Sequence, residues 1–350
     1  MMEIDGSMLE GGGSIVRISV GLAALVGKPV RVYNIRAKRE NPGLREQHLE
    51  GIRAVSKLCN GRLEGDELGS QEIRFWPGEV KAGRIRVNIR TAGNITLVLQ
   101  PLMLAALRAD GMVEVEFEGG ATDAPLAPPL DYLKHVTFPT LAKMGYRCEV
   151  ECLRRGHYPR GGARAIARLH PGTLGPLQAV ERGKVLGVCG VSHCVRLPRS
   201  IAERQASEAR KRLLKEGYSA EVEVEAYDPE KDPHIAPGTG IVLWAECEGG
   251  VLGASALGRP GKRAEEVGGE AAEELLSQLR TGMAVDKYLT DQLIPYLALS
   301  GGEITSSQIT LHTLTNLALV EKFLGTRLEV EGALGKPGRV KSVGPPPVIS

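Results

Sequence analysis

Hydrophobic positions along this chain keep switching between two periods. Residues 220–227, Ala-Glu-Val-Glu-Val-Glu-Ala-Tyr, alternate as a half-buried strand does, whereas Leu314, Leu317, Ala318 and Phe323 or Leu324 recur at the spacing of one helix face. One grammar built from both periods occurs four times without a fixed interval: an amphipathic helix, a glycine closing it, a strand, a turn and a second strand. The copies run over residues 48–75 through Gly61, 132–153 through Gly145, 208–227 through Gly217 and 317–330 through Gly325. Glycine just past a helical run supplies the left-handed cap that ends it. The pattern predicts an α+β repeat architecture, with helices on one face of small sheets.

The third copy sits in different surroundings. Residues 185–195 read as a strand, 200–215 as a helix, 241–246 and 251–257 as further strands, and 263–280 as a second helix. Such a β-α-β-β-β-α block closes on itself, so a smaller α/β domain is expected at 182–281. It interrupts a larger body formed by 1–181 and 282–350.

At 350 residues, 42% hydrophobic and 25% charged, the chain can fill two or three layers or two domains. Its longest apolar run, 95–107, is broken by Gln100 and Pro101 and is too short for a bilayer, so no membrane role is expected. The start, Met1-Met2-Glu3-Ile4-Asp5-Gly6, carries an acid where a signal peptide is basic, and a cytoplasmic location is expected. Six cysteines occur without a Cys-x-x-Cys pair, so zinc is not expected and reduced thiols are. The net charge of +2 hides a cluster of Arg31, Arg36, Lys38, Arg39, Arg45 and Arg53. Guanidinium groups suit phosphate oxygens. On charge alone, a solvated face paired with Glu40, Glu46 and Glu50 is the simpler reading.

Candidate chemistry concentrates in short motifs. In Thr310-Leu311-His312-Thr313-Leu314-Thr315-Asn316, Thr310 reads as a helix cap and His312 as a first-turn residue. A helix start disfavours imidazolium and favours an incoming phosphate, although a histidine merely filling that position is the simpler reading in isolation. Glu10-Gly11-Gly12-Gly13-Ser14 would let backbone approach a phosphate, with Glu10 able to hold a divalent cation. No P-loop motif occurs. Tyr288, Asp291 and Gln292 fall on one face of a helix expected from about Ala284, able to grip a nucleotide or to lie on the surface. Gln100, at the end of an apolar run, needs a partner for its amide. The segment 122–129 is a proline-stiffened loop.

Seven motifs in order form a joint signature. They are Glu10-Gly11-Gly12-Gly13 with Arg17; Ile35-Arg36-Ala37-Lys38-Arg39 with Pro42-Gly43-Leu44 and Gln47-His48-Leu49; Leu97-Val98-Leu99-Gln100; Gly120-Ala121-Thr122-Asp123 with Ala127-Pro128-Pro129; Gly156-His157-Tyr158-Pro159-Arg160-Gly161-Gly162; Tyr288-Leu289-Thr290-Asp291-Gln292; and His312-Thr313-Leu314-Thr315-Asn316. Together they resemble the RNA 3'-terminal phosphate cyclase family over nearly the whole chain. The resemblance implies three βαβαββ-type units like the C-terminal domain of translation initiation factor three, with a smaller α/β domain inserted before the last repeat. It further implies ATP and a divalent cation, Mg or Mn, used to turn an RNA 3'-phosphate into a 2',3'-cyclic phosphate, releasing AMP and diphosphate.

Residue by residue, the resemblance makes His312 the carrier of AMP and Glu10 the metal and ATP-site carboxylate. Gln100, Pro128, Tyr288, Asp291 and Gln292 become nucleotide contacts, and Arg17, Arg36, Arg39 and Gln47 the RNA phosphate site. The remaining histidines, His48, His135, His157, His170, His193 and His234, are expected to be structural or on the surface. Two rivals share related folds: a non-catalytic cyclase-like ribosome-assembly protein, disfavoured by the presence of His312 and Glu10, and an enolpyruvyl transferase. Monomer and homodimer remain equally compatible with the sequence.

Overall fold

The computed structural model describes residues 1–347. Strand β1 (Met2–Asp5) leads into α1 (Gly13–Val26), which is apolar around its circumference and buried from Ser14 to Leu25. Such a helix belongs among other helices. It is followed by β2 (Val30–Tyr33), α2 (Glu46–Leu58), β3 (Arg62–Glu64) and β4 (Ile73–Trp76). The sheet order is β1-β2-β4-β3, parallel between β1 and β2 and antiparallel elsewhere.

A second group has the same layout. It comprises β5 (Gly83–Asn94), α3 (Ile95–Ala106), β6 (Val113–Ala121), the helical segments α4 (Leu130–Tyr132) and α5 (Phe138–Lys143) joined by a π-helical turn, then β7 (Arg147–Arg154) and β8 (Arg164–His170). Its order, β5-β6-β8-β7, repeats the strand directions of the first sheet. The third sheet begins with β9 (Leu177–Ala179) and is then interrupted by β10 (Val185–Val195), α6 (Ser200–Lys215), β11 (Ala220–Ala226), β12 (Gly238–Cys247), β13 (Val251–Leu257) and α7 (Ala264–Arg280). It resumes with α8 (Lys287–Ser300), β14 (Gly302–Ser306), α9 (Leu311–Leu324), β15 (Arg327–Glu331) and β16 (Gly338–Val343). Within it β9 pairs in parallel with β14, and β16 and β15 follow antiparallel.

The interrupting strands form a fourth sheet of different order, β11-β10-β12-β13. With α6 and α7 they enclose a core of their own that includes Leu213, Ile241, Leu243, Leu252 and Leu275. A larger core gathers α1, α2, α3, α8 and α9 with the other sheets. Fully buried Asp286 ties the two together. It caps α8 by accepting from the amides of Tyr288 (2.8 Å) and Leu289 (2.9 Å), and it also accepts from the Tyr132 hydroxyl (2.7 Å) and the amide of Gly253 (2.8 Å) on β13. That cap starts α8 at Lys287 rather than near Ala284.

Glycine acts as the left-handed residue behind a helix at Gly145, Gly217 and Gly325, whose φ values are +92°, +86° and +68°. Gly61 does not: α2 closes at Cys59, and Gly61 lies under Phe75 and the backbone of Trp76, where a Cβ has no room. All six cysteines are free thiols. Among the described residues, no helix is long and apolar enough to cross a membrane.

Candidate active site

The head of α9 is fastened to α8 by a network of hydroxyls. Thr310 Oγ1 accepts from the Thr313 amide (3.0 Å), and Thr313 Oγ1 accepts from the Thr310 amide (3.1 Å), a reciprocal cap. Both hydroxyls approach Asp291 Oδ1, at 2.7 and 2.6 Å, and Asn316 Nδ2 donates to the Asp291 carbonyl (2.7 Å). Burial pushes the Asp291 carboxyl up to about 6, with the threonine hydroxyls and His312 pulling it back, so it is ionised at neutral pH. Anchored in this way, the first turn presents His312 exposed on the surface.

Facing it is the loop between β1 and α1. The Glu10 side chain, only 4% exposed, accepts from Ser14 Oγ (2.6 Å), and Ser14 Oγ lies 3.5 Å from His312 Nδ1. Because the serine proton is used on Glu10, its oxygen is left to accept from Nδ1–H. The other Glu10 oxygen pairs with Arg39 Nη2 (3.2 Å), which also donates to the Glu10 carbonyl (2.9 Å). Two glycines make this packing feasible. A Cβ at Gly12 would collide with the Glu10 carboxylate, and one at Gly13 with the ring of His48. Glu10, Lys38, Arg39, Gln308, Thr310 and His312 line an open cleft of about 640 Å³.

Behind the glycine turn, Arg17 is buried and its Nε has no partner. Burial lowers it to about 10 against the pull of Glu10, so it keeps its charge. Arg36 is held in a left-handed backbone (φ +53°), with Nη1 donating to the carbonyls of Asn41 and Gly43, both at 2.7 Å. His48 is pushed down to about 2 by burial and then by Arg17, Arg36 and Arg45, hence neutral, and its Nδ1 accepts from the Arg45 amide (3.1 Å). Gln47 Oε1 accepts from the Asn94 amide (3.4 Å).

Gln100, Pro128 and Gln292 converge elsewhere, on a narrow slot walled by Leu97, Leu133 and Tyr296. Gln292 Oε1 accepts from Thr137 (3.0 Å), while Gln100 Oε1 is buried with no partner, leaving an acceptor aimed at nothing in the chain. Tyr288 does not join its helix neighbours. It is 43% exposed, and its hydroxyl lies 3.4 Å from Glu274 on α7. The single face expected for Tyr288, Asp291 and Gln292 thus splits toward α7, α9 and the slot. The structure brings His312, Glu10 and Arg39 into one cleft and Gln100, Pro128 and Gln292 into another. Asp291 sits beneath the first, and Gln292 follows it in the chain.

A family model described as RNA 3'-terminal phosphate cyclase matches residues 8–330. The chain belongs to this family. Similar proteins include the RNA 3'-terminal phosphate cyclases of Methanopyrus kandleri, 51% identical over 97% of this chain and 98% of the relative, and of Thermococcus kodakarensis, 52% identical over 98% of each. That of Pyrococcus furiosus is 49% identical over 98% of this chain and 99% of the relative.

Three side chains of this cyclase's cleft were passed over in the sequence. Ser14 bridges Glu10 and His312, and its spacing of four from Glu10 on a helix start was the available signal. Lys38 lines the cleft from within a quoted motif. His48 was set aside as structural, yet it packs against the glycine turn beside Arg17 and Arg36. No local pattern signals that contact.

Proposed function

We propose that this cyclase converts an RNA 3'-terminal phosphate into a 2',3'-cyclic phosphodiester with ATP, through AMP held covalently on His312. The single observation that carries the role of His312 is the line from Glu10 through Ser14 to His312 Nδ1 at the mouth of a basic cleft. Holding the proton on Nδ1 leaves the Nε2 lone pair free for attack on the α-phosphorus, with diphosphate departing. Lys38, Arg39 and the amide end of α9 offset the charge that develops on phosphate oxygens. The RNA 3'-phosphate then displaces His312 from the adenylate, giving an adenylated RNA end, and the 2'-hydroxyl displaces AMP to close the ring.

The remaining assignments follow the chemistry of each place. The slot at Gln100, Pro128 and Gln292 suits a flat base whose exocyclic amine satisfies the unpaired Gln100 oxygen. Arg17, with a buried unpartnered donor, and Arg36 suit the RNA phosphate, with Arg39 and Gln47 beside them. Glu10, whose carboxylate faces the cleft, would hold Mg or Mn, and that cation would offset the negative charge of the phosphate oxygens. Tyr288, exposed and leaning toward α7, is assigned to the open side of the nucleotide site, where its ring is free to meet a base. The three sheets of equal strand order are best read as βαβαββ units like the translation initiation factor three C-terminal domain, with 182–281 as the inserted domain; their separate cores support this.

The test uses ATP labelled at the α-phosphate. Wild type should retain acid-labile label that His312→Asn loses. On a DNA 3'-phosphate, which has no 2'-hydroxyl, the reaction should stop at the adenylated end. Cyclic product or an absence of capped DNA would refute the order of steps.

A further inference from the structure

Where the fourth sheet meets the second, three potential metal ligands are buried side by side; Asp123 Oδ2 accepts from the Thr122 hydroxyl (2.6 Å), and the donor atoms beyond it are largely unpaired. Asp123 follows β6, His157 follows β7, and His193 lies on β10; their relative exposures are 1%, 5% and 0%. One donor atom from each lies within 4.8 Å of the others, the one such group among the described residues. The rings of His157 and His193 have centroids 5.1 Å apart, and His193 Nε2 is 3.8 Å from Asp123 Oδ2, too long for a hydrogen bond. Asp123 Oδ1, His157 Nε2 and both nitrogens of His193 have no hydrogen-bond partner. Buried polar atoms are ordinarily paired, and four orphans on three neighbouring side chains are not explained by the chain alone.

The surrounding charge leans the same way. Arg155 pairs with Asp123 (3.4 Å), Asp131 (2.7 Å) and Glu225 (2.6 Å), so one guanidinium faces three carboxylates. Burial holds both imidazoles below their ordinary values, favouring the uncharged form that ligates metals. The backbone is shaped around these rings: a Cβ at Gly238 on β12 would collide with the ring of His157, and one at Gly240 would press on that of His193. Two ligand atoms bound to one zinc ion stand about 3.4 Å apart in a tetrahedral site, so the 3.8 Å pair needs only a small contraction.

We propose that Asp123, His157 and His193 form a structural site for a first-row divalent ion that prefers nitrogen donors, zinc above all, which staples the fourth sheet to the loop carrying Pro128. Magnesium, which prefers an oxygen shell, is excluded by the two imidazoles. The cysteine pattern gave no sign of it because the donors are histidine and aspartate from three distant segments. It is separate from the cation assigned to Glu10 and independent of the function proposed above.

Chelator-stripped Glu10→Gln protein, which lacks the carboxylate assigned to the catalytic cation, is titrated with Co(II). One equivalent should bind per chain with visible d–d absorption, be displaced by Zn(II), and be lost in Glu10→Gln carrying His193→Gln or His157→Gln. Zn(II) at a hundredfold excess over its dissociation constant should raise the melting midpoint of wild type and Glu10→Gln by about 3 to 4 °C, and of the histidine variants not at all. Should a histidine variant fail to fold by circular dichroism, the titration of Glu10→Gln decides alone. No stoichiometric Co(II) band in Glu10→Gln, or a band that survives both histidine substitutions, overturns the site and leaves buried water as the occupant.

Discussion

The same side chain sits in two opposite settings in this molecule. At the head of α9, His312 is exposed, hydrogen-bonded on one edge only, and opens onto a basic cleft. Between the second and fourth sheets, His157 and His193 are sealed from water beside a guanidinium and three carboxylates. Reactivity and retention need different surroundings. A nucleophile must reach its partner and then release it, so its ring needs one fixed edge and one free edge. A ligand must stay, so its ring is walled in on every side.

The largest expected effect tests the exposed setting. His312→Asn should lower self-adenylation by at least about 10⁴-fold, read from label retained after acid quenching. Its melting midpoint should hardly change, because the ring is on the surface and the cap is made by threonines. Retained adenylation would mean that a walled-in histidine can do the same work, and the contrast would fail.

Next come the two arginines, which the structure separates. Arg39 grips Glu10, whereas Arg36 grips only the carbonyls of its own loop. Arg39→Ala should therefore slow both self-adenylation and transfer to RNA, each by about 10- to 100-fold, equivalent to losing one charge-assisted hydrogen bond. Arg36→Ala should slow transfer by a similar factor and leave self-adenylation within about threefold. Single-turnover measurements of the two steps distinguish them, and equal losses in Arg36→Ala would place it with Glu10 instead.

A smaller effect is expected in the slot. Gln100→Leu should raise the KM for ATP about tenfold while stability stays level or rises by about 1 kcal/mol, because a buried orphan acceptor has been removed. Loss of stability with unchanged KM would assign that amide to the fold.

The smallest concerns Asp291, half-buried beneath the exposed ring. Its folded carboxyl is raised to about 6 from an ordinary 3.8, so protonation favours the folded state. The contribution is complete below about pH 4 and is lost as pH rises through 6. Asp291→Asn keeps an oxygen for Thr310 and Thr313 and removes the titration. Relative to wild type it should gain stability in denaturant unfolding between pH 4 and pH 8. An unchanged difference would show that the carboxylate is solvated.

Local chemistry was legible in the chain and spatial company was not. Strands at Val185–Val195 and Val251–Leu257 and the helix at Ser200–Lys215 fall where the periodicity put them, because burial on one face writes itself into alternation. The Thr310 cap was visible for the same reason: it uses residues three apart. The separate directions of Tyr288, Asp291 and Gln292 were not legible, since sharing a helix face says nothing about what stands opposite it. Ser14, His48 and the Asp123, His157 and His193 group depend on meetings between segments far apart in the chain, and no window of residues contains them.

The parallel pairing of β9 with β14 has one more implication. These neighbours are made about 125 residues apart in synthesis, with a whole self-contained sheet between them. During translation β9 emerges early as a bare edge and waits until α8 and β14 have left the ribosome before its ladder can close. His312, which we propose carries AMP, follows later still, so a chain truncated before residue 302 has neither the finished third sheet nor that histidine. Closure of that ladder and arrival of His312 therefore coincide, once residues 302–324 have been translated.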